Sequence, residues 1–175
     1  MRLNTFSNLL LGIIVYFGFS SLRAQTCGTC TFIISDYNNS SYTISTGQLL
    51  CLDSSAVFEG TITLSGGTIC NKGAFTPAIF VATSGTLNNY SAVGIESSFT
   101  LTNDLALINT TESITTVNGD LIINGGSINN SGIVNIKNNI TFNSGTFINS
   151  AIVNCKLLSG TNLANINDTG IINKD

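Results

Sequence analysis

The stretch LIINGGSINNSGIVNIKNN, residues 121–139, contains the pattern that decides the fold. It holds three short runs of strand-forming residues, at 121–123, 127–129 and Ile133–Ile136. Asn-Gly-Gly and Asn-Ser-Gly separate these runs, and both sequences favour turns. The pattern recurs in the next two units, where Val134, Val153 and Ile172 stand 19 residues apart, each followed by Asn. A fixed period near 20 residues predicts stacked copies of one structural unit.

The same register extends towards the N-terminus as far as residue 43. It divides the chain into 43–61, 62–78, 79–98, 99–120, 121–139, 140–156 and 157–175. One unit is too short to bury its own apolar face, whereas units stacked about 4.8 Å apart join their Ile, Leu and Val residues into one core. We therefore predict an all-β fold, a right-handed parallel β-helix (β-solenoid) of about 6–7 coils with roughly 19 residues each. An antiparallel sandwich or barrel is the alternative, but it has no reason to repeat residues column by column.

The composition supports a β fold in an exported chain. Charged residues are 9% of the sequence, against a usual share of about 25%. Asn, Thr and Ser fill the polar positions, and these are poor helix formers. Without residues 1–24 the chain has 4 basic and 9 acidic residues, a net charge of −5. Nucleic acid needs clustered Lys or Arg, so we predict no nucleic-acid partner.

The N-terminus reads as a secretory signal peptide at residues 1–24. Met1 and Arg2 give a positive start, the apolar run LLLGIIVYFGF follows, and the small residue Ala24 precedes the expected cut. An uncleaved membrane anchor is the alternative, but the run is shorter than the roughly 20 residues that span a bilayer. We expect a secreted or cell-surface protein with no membrane span after cleavage. Residues 25–42 are predicted to be a small N-terminal cap, and residues 43–175 the solenoid repeats.

The cysteines predict two disulfides. Cys51 and Cys70 are 19 residues apart in one column, which places their Cα atoms about 4.8 Å apart. Such a bond suits an exported protein. Cys27 and Cys30 are predicted to pair with each other inside the cap, because a redox or metal role would need a second CxxC, a His or a βαβ setting. Cys155 takes the column of Ile136, which predicts a buried small apolar side chain.

Two polar columns are candidate binding features. Asn residues recur at intervals of 16–21 positions, and such a ladder can hydrogen-bond the coils above and below; its predicted members are Asn71, Asn89, Asn109, Asn130, Asn149 and Asn165. Lys137, Lys156 and Lys174 stack in nearly one column. Three like charges on an exposed face could contact an acidic glycan, although lysines at such positions more often discourage association between strand edges.

No catalytic arrangement stands out. The absence of His excludes a Ser-His-Asp triad. A glycosidase needs two facing carboxylates about 5–9.5 Å apart. The best catalytic or Ca²⁺ candidates are Asp104, Glu112 and Asp120, which share unit 99–120 but fall at different corners. Solubilising charges explain them better. We predict no enzyme activity, no cofactor and no metal.

The stretch TGQLLCLDSSAVFEGTITLSGGTICNKG, residues 46–73, carries a family resemblance. With the later GTLNNY and GSINNSG repeats, it resembles the N-terminal β-helix of surface proteins secreted by gliding bacteria through the type IX system. The resemblance covers residues 25–175 and implies an adhesin-like surface module. Such proteins usually carry a C-terminal sorting domain, which this sequence lacks, so we expect a truncated chain or a fragment of a longer surface protein.

Two functions follow from these observations. The first is a non-catalytic extracellular structural or adhesion module that binds glycans or a partner surface. The second is a carbohydrate-active β-helix of the lyase or hydrolase kind that is degenerate or incomplete. In either case the last coil has an open strand edge, which predicts self-association through that coil.

Overall fold

The structure is a computed structural model that describes residues 27–174, so the predicted signal peptide lies outside the described residues. The described chain forms strands and one short 3₁₀ turn, Leu163–Asn165. The strands are β1 (Phe32–Ile34), β2 (Tyr37–Asn38), β3 (Ser41–Ser45), β4 (Leu49–Leu52), β5 (Val57–Phe58), β6 (Thr61–Asn71), β7 (Ala74–Phe75), β8 (Ile79–Asn89), β9 (Ala92–Ile95), β10 (Phe99–Thr102), β11 (Leu105–Asn109), β12 (Ile114–Val117), β13 (Leu121–Asn130), β14 (Ile133–Ile136), β15 (Asn139–Asn149), β16 (Ile152–Cys155), β17 (Leu157–Ser159), β18 (Ile166–Asp168) and β19 (Ile171–Lys174).

All strand pairs are parallel, and each joins one coil to the next. An 8-stranded sheet runs in the order β19-β16-β14-β12-β9-β7-β5-β2. An 11-stranded sheet contains long strands that pair with two shorter ones, as β6 does with β3 and β4. Each full coil thus has three strand segments. We call the segment before the corner of a long strand the first face, the segment after it the second face, and the 8-stranded sheet the third face.

Glycines form the corner between the first and second faces. Gly66, Gly85, Gly125 and Gly145 have φ of 88°, 111°, 106° and 105°, the left-handed region that L side chains rarely adopt. At Gly145 a Cβ atom would also lie 2.2 Å from the carbonyl oxygen of Gly126. In these four coils the corner uses glycine for its backbone angle and, at Gly145, also for the close approach of the coil beneath, whereas the coil of β10 and β11 turns at Asn103 and Asp104.

Columns of apolar side chains fill the interior. One inward column of the second face is buried in every coil from β4 to β15, and its members are Leu50, Ile69, Leu87, Leu107, Ile128 and Phe147. Burial of each such side chain contributes about 1.5–3 kcal/mol. These columns form only when coils stack on one another. Their burial therefore holds neighbouring coils together, as expected for a repeat of this length.

The parallel β-solenoid predicted from the repeat is confirmed, but two details are corrected. The 8-stranded sheet gives eight coils, the first incomplete, rather than six or seven. The parallel register also begins before residue 43, because β1 pairs with β4 and β2 pairs with β5. Most of the segment predicted as a cap is thus a first, partial coil, whose residues Phe32 and Ile34 extend the apolar columns.

Candidate functional site

The two disulfides join the N-terminal segment to two coils. Cys27 bonds to Cys70 with Cα atoms 5.7 Å apart, and Cys30 bonds to Cys51 with Cα atoms 5.8 Å apart. The predicted pairs, Cys51 with Cys70 and Cys27 with Cys30, are therefore wrong, although all four cysteines are in disulfides. Cys155 is buried among core residues, where the sequence placed it.

The correct pairing follows from the direction of the side chains. Cys51 and Cys70 are register partners on adjacent parallel strands. Their Cα–Cβ bonds point the same way, so the Cβ atoms stay about 4.8 Å apart, beyond the roughly 3.5–4.5 Å that a disulfide requires. Both side chains alternate with inward residues such as Leu50 and therefore point outwards. Both are nevertheless only 2% exposed, because segment 27–30 covers them.

A buried ladder of asparagines runs along the inside of the second face. Each Nδ2 donates to the Oδ1 of the residue one coil further on, at 2.9, 2.9, 2.8, 2.7 and 2.8 Å for the successive steps Asn71, Asn89, Asn109, Asn130, Asn149 and Asp168. The five asparagines are at most 1% exposed. A buried amide costs free energy unless it is hydrogen-bonded, and this stacking satisfies each one.

Each amide of the ladder also forms hydrogen bonds with the segment of chain that leads to the third face. Asn130 Nδ2 donates to the carbonyl oxygen of Ile152, and its Oδ1 accepts from the backbone N–H of Gly132. In the longer coil, Asn109 Oδ1 instead accepts from the hydroxyls of Ser113 and Thr115. The ladder is therefore structural and buried, so it does not form a surface that binds a ligand.

The sixth member of the predicted ladder is wrong. Asn165 lies exposed in the 3₁₀ turn, and Asp168 takes the column, 19 residues after Asn149. The interval of 19 residues between Asn130 and Asn149, applied once more, was the signal that could have found Asp168. Its carboxylate accepts from Asn149 but carries no amide to donate to a further coil.

The lysines do not form one column. By the register of β14 and β16, Lys137 and Lys156 are exposed neighbours at the corner after the third face. Lys174 lies one position earlier, opposite Cys155.

Asp168 and Lys174 thus place charges at the edge of the last described coil, in columns that earlier coils fill with buried residues. Self-association through this coil stays a prediction, and these two charges oppose it.

The third face presents a repeated outward pattern that sequence reasoning missed. One column contains Ile114, Ile133, Ile152 and Ile171, and the column two residues further along contains Thr116, Asn135, Asn154 and Asn173. Asn154 Nδ2 donates to Asn135 Oδ1 at 2.7 Å, and Asn173 Nδ2 donates to Asn154 Oδ1 at 2.8 Å. The signal was the recurring Ile-x-Asn, because residues two apart share a face of a strand.

A cleft of about 250 Å³ opens at the corner between the third and first faces. It is lined by Pro77, Ala78, Ile79, Phe80, Ile95, Glu96 and Ser97. No motif in the sequence marks it, because its two walls come from opposite ends of one coil.

The acidic residues of the longest coil stay apart, as the sequence predicts. Asp104 lies between β10 and β11, Glu112 between β11 and β12, and Asp120 between β12 and β13. Asp120 Oδ1 accepts from the backbone N–H of Asn139 at 3.1 Å, which gives it a structural role. Among residues 27–174, no three side chains of His, Cys, Asp or Glu come together in a way that could hold a metal ion.

Comparisons with protein-family models, with curated proteins and with solved structures found no match to this chain. Within residues 27–174 there is no helix that is long and apolar enough to cross a membrane. The two disulfides are typical of an oxidising, extracellular environment. The chain thus stands as a disulfide-bonded parallel β-solenoid, and its function has to be argued from its own surfaces.

Proposed function

We propose that this chain is a non-catalytic extracellular structural and adhesion module that binds glycans on a partner surface. The predicted signal peptide would deliver it to the oxidising environment that its disulfides require. The scattered positions of Asp104, Glu112 and Asp120 support a binding role over a hydrolytic one, because hydrolysis of a glycosidic bond needs two facing carboxylates.

The observation that carries the proposal is the outward pattern of the third face. Four successive coils present an isoleucine at one position, and the last three of them present an amide two residues further along, at intervals of about 4.8 Å. Ile114 and Ile171 are 41% and 57% exposed, so this column is accessible. The amides of Asn135 and Asn154 are already oriented by the hydrogen bond that Asn154 Nδ2 donates to Asn135 Oδ1.

This arrangement fits the chemistry of a neutral polysaccharide. A sugar residue has an apolar face of C–H groups and a rim of hydroxyls, so it can pack on isoleucine and hydrogen-bond to an amide at once. Because the array is uncharged and repeats, each further coil adds a similar weak contact. Linked weak contacts raise the overall affinity far above that of one contact.

The experiment is a polysaccharide array probed with residues 25–175 and with Ile133→Lys/Ile152→Lys, which places two charges in the outward column. We expect the wild type to bind neutral polysaccharides without releasing products, and the double variant to lose at least about 10-fold in affinity. Ile148→Lys is the matched control, because Ile148 is 36% exposed on the second face and its variant should bind like the wild type. Cleavage products would contradict the proposal, as would equal binding by the double variant.

A further inference from the structure

Strand pairing on the first face is interrupted at one place among the described residues. The first-face segments pair from β3 through β6 to residues 79–82 of β8, and again from β10 through β13 and β15 to β17. Between residues 79–82 and β10 there is no pairing, since β10 pairs with β13 alone. The edges of two strands therefore face each other across this gap, and strand edges present N–H and C=O groups.

Aromatic packing holds the two sides of the gap together. Phe80 stacks on Phe99 with ring centroids 5.5 Å apart, and its other neighbour Phe75 lies 5.5 Å away edge-on. Further along, Thr102 Oγ1 donates to the carbonyl oxygen of Thr83 at 3.0 Å. The gap is thus a fixed feature, in which side chains replace the missing backbone pairing.

The cleft lies where this gap begins. Its floor consists of Pro77, Ile95 and half-buried Phe80, and its rim includes Glu96 and Ser97. Glu96 Oε2 accepts a hydrogen bond from Asn118 Nδ2 at 3.0 Å, which holds the carboxylate at the rim. A carboxylate has about four acceptor sites, so Glu96 keeps capacity for a ligand hydroxyl.

We propose that this cleft binds one neutral sugar residue. A volume of about 250 Å³ is below the roughly 300–1,000 Å³ of pockets for drug-sized ligands, which fits a single ring. The apolar floor suits the C–H face of the ring, and the carboxylate of Glu96 suits its hydroxyls. The negative charge disfavours uronic acids and phosphorylated sugars. The sugar class rests on the proposed function, whereas the site is separate from the third-face array.

The test is a titration of ¹⁵N-labelled protein, residues 25–175, with the methyl glycosides of glucose, galactose and N-acetylglucosamine, and with glucuronic acid. We expect at least one neutral glycoside to shift amide signals of residues 78–80 and 95–97, and glucuronic acid to bind several-fold more weakly. Glu96→Ala should lower the affinity at least about 10-fold, because it removes hydrogen bonds to a charged group. Glu96→Gln should keep most of the affinity for the neutral sugar and lose the discrimination against glucuronic acid.

Two further variants keep the result interpretable. Ala78→Trp places a large side chain on the exposed rim and should abolish the shifts without touching the core. Asp104→Ala removes an equal charge at another exposed corner and should bind like the wild type. No shifts at the cleft with any neutral glycoside would overturn the inference, even if the array experiment shows binding. Cleft shifts together with a silent array would overturn the proposed function alone.

Discussion

The first and last coils have the same fold but are held together by different means. The N-terminal coils contain both disulfides, which involve residues 27–70, and a row of packed aromatic rings from Phe58 through Phe75 and Phe80 to Phe99. The later coils contain no disulfide and one aromatic pair, Phe142 with Phe147, and the buried amide ladder, which begins at Asn71 beside Cys70, runs through them to Asn149. The change occurs within one column, which holds Ile34 and Leu52 before Asn71.

This difference shows that one column can be stabilised in two ways. An apolar column is stabilised by burial alone, which does not depend on direction. An amide column adds a directional bond between successive coils and rejects a register shift, because each shifted amide would be buried without a partner. The coils before β6 place apolar residues in this column, and the ladder begins at Asn71, next to Cys70, so most of its bonds join coils that carry no disulfide.

The largest expected effect is the loss of a disulfide. Cys27→Ser/Cys70→Ser opens a cross-link between residues 43 apart, which the chain-entropy relation values at about 4 kcal/mol. Because the bond from Cys30 to Cys51 remains, we expect a loss of about 2–4 kcal/mol. Hydrogen exchange measured coil by coil should show lower protection in β4 and β6 and unchanged protection in β14 and β16.

The comparison fails if protection falls equally in all coils, since the N-terminal cross-links would then stabilise the whole stack. Cys155→Ser is a control for the replacement of a cysteine sulfur by a hydroxyl without the loss of a cross-link. Cys155 is 2% exposed in the last coils. Its substitution should lower protection near β16 and leave β4 unaffected.

The next effect is a break in the ladder. Asn130→Ala removes the acceptor of Asn109 and the donor to Asn149 and Ile152, so buried amides on both sides lose partners. We expect a loss of about 2–3 kcal/mol, measured as a lower urea midpoint with an unchanged slope. Asn135→Ala in the half-buried outward column should cost less than about 1 kcal/mol, because water can replace its bond. Equal losses of stability in the two variants would show that burial does not determine how much such a hydrogen bond stabilises the fold.

The ladder also shows how far the sequence predicts this fold. The period, the parallel pairing and five ladder positions follow from the sequence, because stacked coils repeat the same environment. Asn165 was misplaced because the 3₁₀ turn Leu163–Asn165 lies between β17 and β18. Asn165 therefore comes three residues before Asp168, which occupies the column.

The cross-links and the cleft could not be predicted in the same way. Cys27 and Cys30 lie before the repeat, so their partners depend on the path of segment 27–30 over the outside of the second face. The cleft lies where pairing between residues 79–82 and β10 is missing, and no repeated residue in the sequence marks that gap. Repetition predicts what coils share, and these features arise where coils differ.

A smaller effect concerns the edge of the last described coil. Asp168→Asn/Lys174→Ile replaces two charges with residues of the kind that occupy these columns in earlier coils. Stacking another strand on this edge would then bury no lone charge, so we expect self-association to strengthen at least about 10-fold in sedimentation equilibrium. Lys156→Ile removes a corner charge outside the inward columns and should leave the association unchanged. A double variant that associates no more than wild type would show that these charges do not protect the edge.

The smallest effect is expected at Tyr37, in the first coil. Tyr37 Oη donates to Glu59 Oε2 at 3.2 Å, and this hydrogen bond, with repulsion by the same carboxylate, raises the pKa of Tyr37 above 10.0. The folded state thus favours the neutral phenol, so the contact stabilises the fold below the unfolded pKa and loses its effect as pH rises through the folded pKa. Glu59→Gln keeps an acceptor but removes the charge, and should lower the pKa of Tyr37 in ¹³C NMR. Because Tyr37 is 61% exposed, solvent screens this contact and stability should hardly change, unlike the buried amide bonds of the later coils. A marked loss of stability in Glu59→Gln would show that exposed contacts also hold the first coils together.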